Sequence, residues 1–181
     1  MKTLNLLFIG NSHTYYNDMP LMVQRRAEEA GFTCRVTMIA HGGWFLAQYA
    51  EEPDVRFNIL YGNYDYVILQ EHAHPFGPEE AFHEAASKLV GLIRQAGSMP
   101  VLYETWSRES EPEAQVYMNE VHQRIARKTG ALIAPVGENW WSYMNSNPTL
   151  KLYDDDGAHA SPTGSDFAAK HIWEAIRGDL R

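Results

Sequence analysis

Five short, largely apolar runs constrain this chain more than any other feature: Leu4–Ile9, Cys34–Ile39, Tyr66–Gln70, Pro100–Thr105 and Ala131–Val136. Each is too short for a helix, so each is read as a strand covered from both sides. Segments of helical periodicity separate them. Met19–Ala30 carries Leu21, Met22, Val23 and Ala27 and stops at Gly31. Pro78–Ala96 has Glu79 and Glu80 in its first turn, an apolar stripe through Phe82, Ala85, Leu89 and Ile93, and Gly97 as its stop. Pro112–Lys128 is a third helix, and Ser161-Pro162 opens a last one with serine as cap and proline in the first turn. An aromatic stretch after Val136 is read as irregular. Strands with no wet face need helices on both sides, and alternation of the two makes the sheet parallel. The expectation is one α/β domain over residues 1–181, a three-layer α/β/α sandwich around five parallel strands.

With 15 Lys+Arg against 23 Asp+Glu the net charge is −8, which argues against binding a phosphate backbone or an anionic membrane. Cys34 is the only cysteine, so neither an intrachain disulfide nor a cysteine zinc site is available; it is expected to be buried packing. Met1-Lys2-Thr3 leads directly into the first run, which is too short for a signal peptide or a membrane span, so a cytoplasmic address is expected.

In a parallel sheet ligands bind beyond the carboxyl ends of the strands. Unusual polar residues fall there: Ser12 after the first strand, Gly42-Gly43 after the second, Gln70 to His74 after the third, Trp106 after the fourth, and Asp156 and His159 in the last loop. A serine hydroxyl is a weak nucleophile until a base removes its proton, and an imidazole held by a carboxylate is the usual base. Ser12 with the Asp156/His159 pair supplies that inventory. Asp154 and Asp155 are competing carboxylates, and the three-residue spacing favours Asp156.

Gly10-Asn11-Ser12, a glycine after strand two, and Asp156-x-x-His159 followed by Ser-Pro-x-Gly resemble the SGNH, or GDSL-type, hydrolases. The resemblance spans nearly the whole chain and implies a flavodoxin-like fold and a serine esterase. It implies Ser12 as nucleophile, His159 as base, Asp156 as the group that orients it, and an oxyanion hole including the backbone N–H groups of Ser12 and Gly43. The chain departs from the family after strand three, where Gly-x-Asn-Asp is replaced by Leu69-Gln70-Glu71-His72-Ala73-His74-Pro75. Gln70 is the preferred third donor and His74 the alternative. Asn11, where the family has aspartate, is read as structural.

Trp44 and Trp106 are expected to wall a substrate pocket, from an aromatic set that includes Tyr15, Tyr16, Phe76, Trp140 and Trp141. His13 is read as a turn residue packing outward, and His83, His122 and His171 as helix residues without a role. Two alternatives compete with the esterase. His72 and His74 beside Glu71, with His41 elsewhere, could chelate zinc or iron, and the altered third block could mark a non-catalytic binding module. A nucleotide site is disfavoured, since no glycine-rich phosphate loop follows the first strand. The expected reaction needs no cofactor or metal, and the expected partner is a small-molecule ester.

Overall fold

The first apolar run becomes β1, Thr3–Gly10, and its position explains its composition. It is an interior strand, second from one edge of a five-stranded sheet in which every pairing is parallel. The computed structural model describes residues 3–147 and 149–180; Met1 and Lys2, read above as leading into the first strand, lie outside these. The other strands are β2 (Thr33–Ala40), β3 (Tyr66–Leu69), β4 (Met99–Glu104) and β5 (Leu132–Pro135), and the order across the sheet is β2-β1-β3-β4-β5. The helices are α1 (Ser12–Tyr15), α2 (Met19–Glu29), α3 (Leu46–Tyr49), α4 (Pro53–Tyr61), α5 (Glu79–Gln95), α6 (Ala114–Thr129), α7 (Val136–Ser146) and α8 (Pro162–Asp179).

Side chains alternate across a strand, and β1 shows what that does. Leu4, Leu6 and Phe8 enter one core with α2, α7 and α8, while Leu7 and Ile9 enter a second core with α3 to α6. All of these residues are fully buried. Each such side chain contributes about 1.5–3 kcal/mol on leaving water, so a strand apolar on both faces is stable only in an interior position. β3 repeats the pattern, with Ile68 on one side and Val67 and Leu69 on the other.

Two expectations need correction. β2 is an edge strand in which only Cys34 is buried, and Met38 is 45% exposed. The stretch after β5 is not irregular: α7 forms there because Val136 and Trp140, four apart, point into the core, and the N–H of Glu138 bonds the buried Glu104 carboxylate at 2.8 Å. Two helices between β2 and β3, α3 and α4, add to the sequence reading. Cys34 is a buried free thiol, as expected, and among the described residues no helix is long and apolar enough to cross a membrane.

Candidate active site

The chain leaves β1 at Gly10 and turns at once into the single helical turn α1, which begins with Ser12. That turn is held on three sides. Gln70 Oε1 accepts from the Asn11 N–H at 2.7 Å and the Thr14 hydroxyl at 2.9 Å. Asn11 Oδ1 accepts from the His13 N–H at 3.1 Å, while its amide donates to the Trp44 carbonyl at 3.0 Å. Tyr103 donates to the His13 carbonyl at 3.2 Å. A Cβ at Gly10 would lie 2.3 Å from Thr14 Oγ1 and 2.5 Å from Gln70 Oε1, so only glycine fits where these elements converge. Asn11 is structural, as expected. An ionised aspartate could not donate to Trp44, so the asparagine fits this loop better.

The opposite wall is the loop between α7 and α8. Tyr153 bridges Ala160, the Asp154 N–H bonds the His159 carbonyl at 2.8 Å, and the Ser161 N–H bonds the Leu152 carbonyl at 2.8 Å. Ser161 also caps α8, accepting from the Gly164 N–H at 3.1 Å. The Trp106 indole donates to the Ala158 carbonyl at 2.8 Å. These contacts aim His159 at the Ser12 turn.

The two walls meet. His159 Nε2 lies 2.8 Å from Ser12 Oγ, across 147 residues of sequence, and its Nδ1 lies 2.5 Å from Asp156 Oδ2. Asp156 Oδ1 accepts from the N–H groups of Ala158 at 2.9 Å and His159 at 2.8 Å. Burial works to raise the Asp156 pKa, but the hydrogen bonds from the His159 ring and the two N–H groups outweigh it and hold the carboxyl well below the usual range. An ionised carboxylate only accepts, so Nδ1 carries the ring proton and Nε2 is free to accept from the serine. The arrangement can move a proton from Ser12 to His159 and hold the resulting imidazolium against Asp156.

The Ser12 and Gly43 N–H groups are engaged in no hydrogen bond among the described residues and are available as donors. Gly43 has φ +74°, and a Cβ there would meet nothing within 4 Å, so the backbone angle rather than space requires glycine. The two side chains considered as third donor are committed elsewhere. Gln70 is fully buried and its amide donates to the Glu71 carbonyl; the preference for it is corrected, because its side chain is sealed in the core with its oxygen holding the Ser12 turn. His74 Nε2 donates to the Trp106 carbonyl at 3.0 Å. Burial, with smaller contributions from Arg108, His159 and His72, lowers its pKa to about 4. Its Nδ1 is therefore unprotonated near neutrality and cannot donate to an oxyanion either.

His13 does not pack outward. It is buried, with ring centroids 4.9 Å from His74, 5.3 Å from Trp106 and 5.1 Å from His159. Burial first, then His74 and His159, lower its pKa well below the ordinary histidine value. Trp106 is likewise no pocket wall: it is fully buried and stacked on Trp140 at 3.9 Å. Its place is under the His159 loop. Trp44 is half-buried, against His41 and Tyr49, beside Gly43. A cavity of about 280 Å³ borders His74, lined also by Phe76, Ser107, Arg108 and Met118.

The metal alternative finds no geometry. The His72 ring stacks on Phe45 and its Nδ1 lies 2.8 Å from the Pro75 carbonyl, while His74 faces Trp106. No three His, Cys, Asp or Glu side chains among the described residues are grouped to hold an ion. His122 and His171 lie on α6 and α8 outside the site. Sequence reasoning placed Tyr16 among the rim aromatics but gave it no link to His159, on which its ring stacks at 4.1 Å. The adjoining Asn17-Asp18 pair was the available signal, because these two residue types favour left-handed turns.

No protein-family model and no curated protein sequence matches the chain. Solved structures do. A candidate SGNH hydrolase from Slackia heliotrinireducens is 28% identical, with TM-score 0.83 over 97% of this chain and 100% of that one. The psychrotrophic esterase EstA from Pseudoalteromonas sp. is 14% identical, with TM-score 0.72 over 97% and 98%. A carbohydrate esterase family 3 protein from Talaromyces cellulolyticus is 13% identical, with TM-score 0.76 over 98% of both chains. The 2-1-3-4-5 parallel sheet and the likeness over full length establish that this chain has the fold of the SGNH, or GDSL-type, hydrolases.

Proposed function

We propose that this protein is a serine esterase acting on small carboxylic esters through an acyl-enzyme. The observation that carries the reading is the continuous hydrogen-bonded chain from Asp156 through His159 to Ser12. In the first half-reaction Ser12 Oγ attacks the ester carbonyl carbon as His159 Nε2 takes its proton. The tetrahedral oxyanion accepts from the N–H groups of Ser12 and Gly43, donors of a type worth ~2.7–4 kcal/mol each to the transition state. Collapse expels the alcohol, protonated by His159, and leaves an ester on Ser12. Water, deprotonated by the same imidazole, then releases the acid and restores the serine.

A small substrate is inferred from the cavity of about 280 Å³ at His74, whose ring neighbours that of His13 beside Ser12, since this volume is just below the ~300 Å³ at which ligand sites begin. We favour a short acyl group, such as the acetyl of a carbohydrate ester, with half-buried Trp44, the residue after Gly43, offering a flat apolar surface. The carbohydrate esterase and the phosphonate-inhibited esterase among the neighbours are consistent with this. A cytoplasmic address belongs to the same proposal, since Cys34 stays an unpaired thiol in the core.

The test is a panel of nitrophenyl esters from acetyl to octanoyl, with fluorophosphonate labelling read by mass spectrometry. The reading expects turnover that falls with chain length and one label, on Ser12. Ser12→Ala should lose several orders of magnitude in kcat, about 10⁶-fold at most, with thermal unfolding nearly unchanged. Retained turnover in that variant, or labelling elsewhere, sinks it.

A further inference from the structure

His159 is held on two edges by Asp156 and Ser12, but a ring held only at its edges can still tilt. One of its faces is covered. The Tyr16 ring lies against it with centroids 4.1 Å apart and planes 11° apart, a parallel stack. The reaction steps above do not use this contact.

Core packing does not account for Tyr16, whose ring is half-buried. The turn that carries it runs through Asn17 and Asp18, both at φ 55°, a left-handed geometry that residues with a Cβ seldom adopt. Asn17 then reaches across to the loop that carries the base. Its amide donates to the Ala160 carbonyl at 3.0 Å, one residue beyond His159, and to Ser165 Oγ at 2.9 Å. Ser165 Oγ in turn donates to the Tyr16 carbonyl at 3.3 Å. A sterically disfavoured turn and three hydrogen bonds thus set the height of one aromatic face over the imidazole.

We propose, building on the esterase reading, that Tyr16 is a positioning residue for His159: its face fixes the plane of the imidazole and favours the cationic ring that forms when Ser12 gives up its proton. The face of an aromatic ring is its electronegative part and attracts a cation stacked over it. The groups around His159 leave room for that effect. Asp156 is the anion at Nδ1, Ser12 is uncharged at Nε2, Asp154 meets the His159 carbonyl through its N–H, and the neighbouring imidazoles of His13 and His74 are held neutral by burial.

The experiment is a graded series at one position: Tyr16→Leu, Tyr16→Phe and Tyr16→Trp. The ring resonance of His159 is titrated by NMR in substrate-free protein, and kcat and KM for a nitrophenyl ester are followed against pH. Tyr16→Leu should move the titration midpoint down by about half a pH unit, move the acid limb of kcat/KM with it, and lower kcat roughly tenfold with KM within about twofold. Tyr16→Phe should match the native protein, and Tyr16→Trp should sit at or above it. An unmoved midpoint in Tyr16→Leu, a loss confined to KM, or a phenylalanine variant as poor as leucine overturns the assignment. Should the leucine variant not fold, the tryptophan variant decides: a midpoint below the native one overturns it equally. The titration needs no substrate. A native protein that turned over no ester would therefore sink the esterase reading, while the midpoints would still judge Tyr16.

Discussion

Gln70 Oε1, buried at the end of β3, accepts the backbone N–H of Asn11 at 2.7 Å and so fixes the turn that presents Ser12. The same oxygen takes the Thr14 hydroxyl, so one side chain satisfies two buried donors. Gln70→Leu keeps much of the volume and leaves both donors unpaired. The expected cost is about 2–6 kcal/mol in stability, since each of the two unsatisfied buried groups costs ~1–3 kcal/mol. Denaturant unfolding checks it, and kcat should fall because the Ser12 turn is no longer fixed. A variant as stable and active as the native protein would show that the turn holds itself.

Trp106 supports the base loop through its indole N–H to Ala158. Trp106→Phe retains an aromatic ring against Trp140 and removes the donor. Stability should fall by about 1–3 kcal/mol, and kcat should fall more than KM rises, because the Ala158 carbonyl anchors the residue next to His159. Steady-state kinetics on a nitrophenyl ester separates the two. A pure KM effect would return Trp106 to the substrate pocket.

Asp156 stays ionised far into the acid range, because its hydrogen bonds hold its pKa down. Protonation of His159 alone should therefore shape the acid limb of kcat/KM. The logarithm should fall with unit slope down to about pH 4.5, where an ordinary carboxyl would begin to add a second proton. A slope approaching two in that range contradicts the strong Asp156–His159 bond. Asp156→Asn should lower kcat by about 10³–10⁴-fold, because an amide can present its N–H to Nδ1 and favour the wrong tautomer.

Glu104 is fully buried with one carboxylate oxygen unpartnered, and burial raises its pKa to about 7 against the small opposing effect of the Glu138 N–H. The folded state binds the proton more tightly than the unfolded chain. This contribution is fully present below the unfolded pKa, near 4.5, and is lost as pH rises through about 7. Glu104→Gln cannot ionise. Its stability relative to the native protein should rise between about pH 4 and pH 8, by on the order of 3 kcal/mol at most. Paired thermal melts at the two ends measure this, and an advantage that shrinks with pH would reverse the sign.

Sequence and structure divide the site unevenly. Runs without a polar face could be read as β1, β3 and β4, because burial on both sides is local information repeated in every residue. β2 misled the reading because an edge strand also uses β-branched and apolar residues while leaving most of them in water. The aromatic stretch that became α7 misled it because its helical face is recognisable only once Trp106 is there to stack on Trp140. Ser12, Asp156 and His159 could be picked out by chemistry and order alone.

What each of their neighbours does was decided in three dimensions. Gln70 and His74 carry donor groups in the sequence, and only the folded structure turns them to other partners, the Glu71 carbonyl for one and the Trp106 carbonyl for the other. Trp106 and Tyr16 are both aromatic rim residues by position; one is sealed in the core and the other lies on the base. Composition and periodicity act over a few residues and determined the layers and the strand direction. Hydrogen-bond saturation and ring contacts span up to 149 residues of chain here, so only the folded structure could assign them.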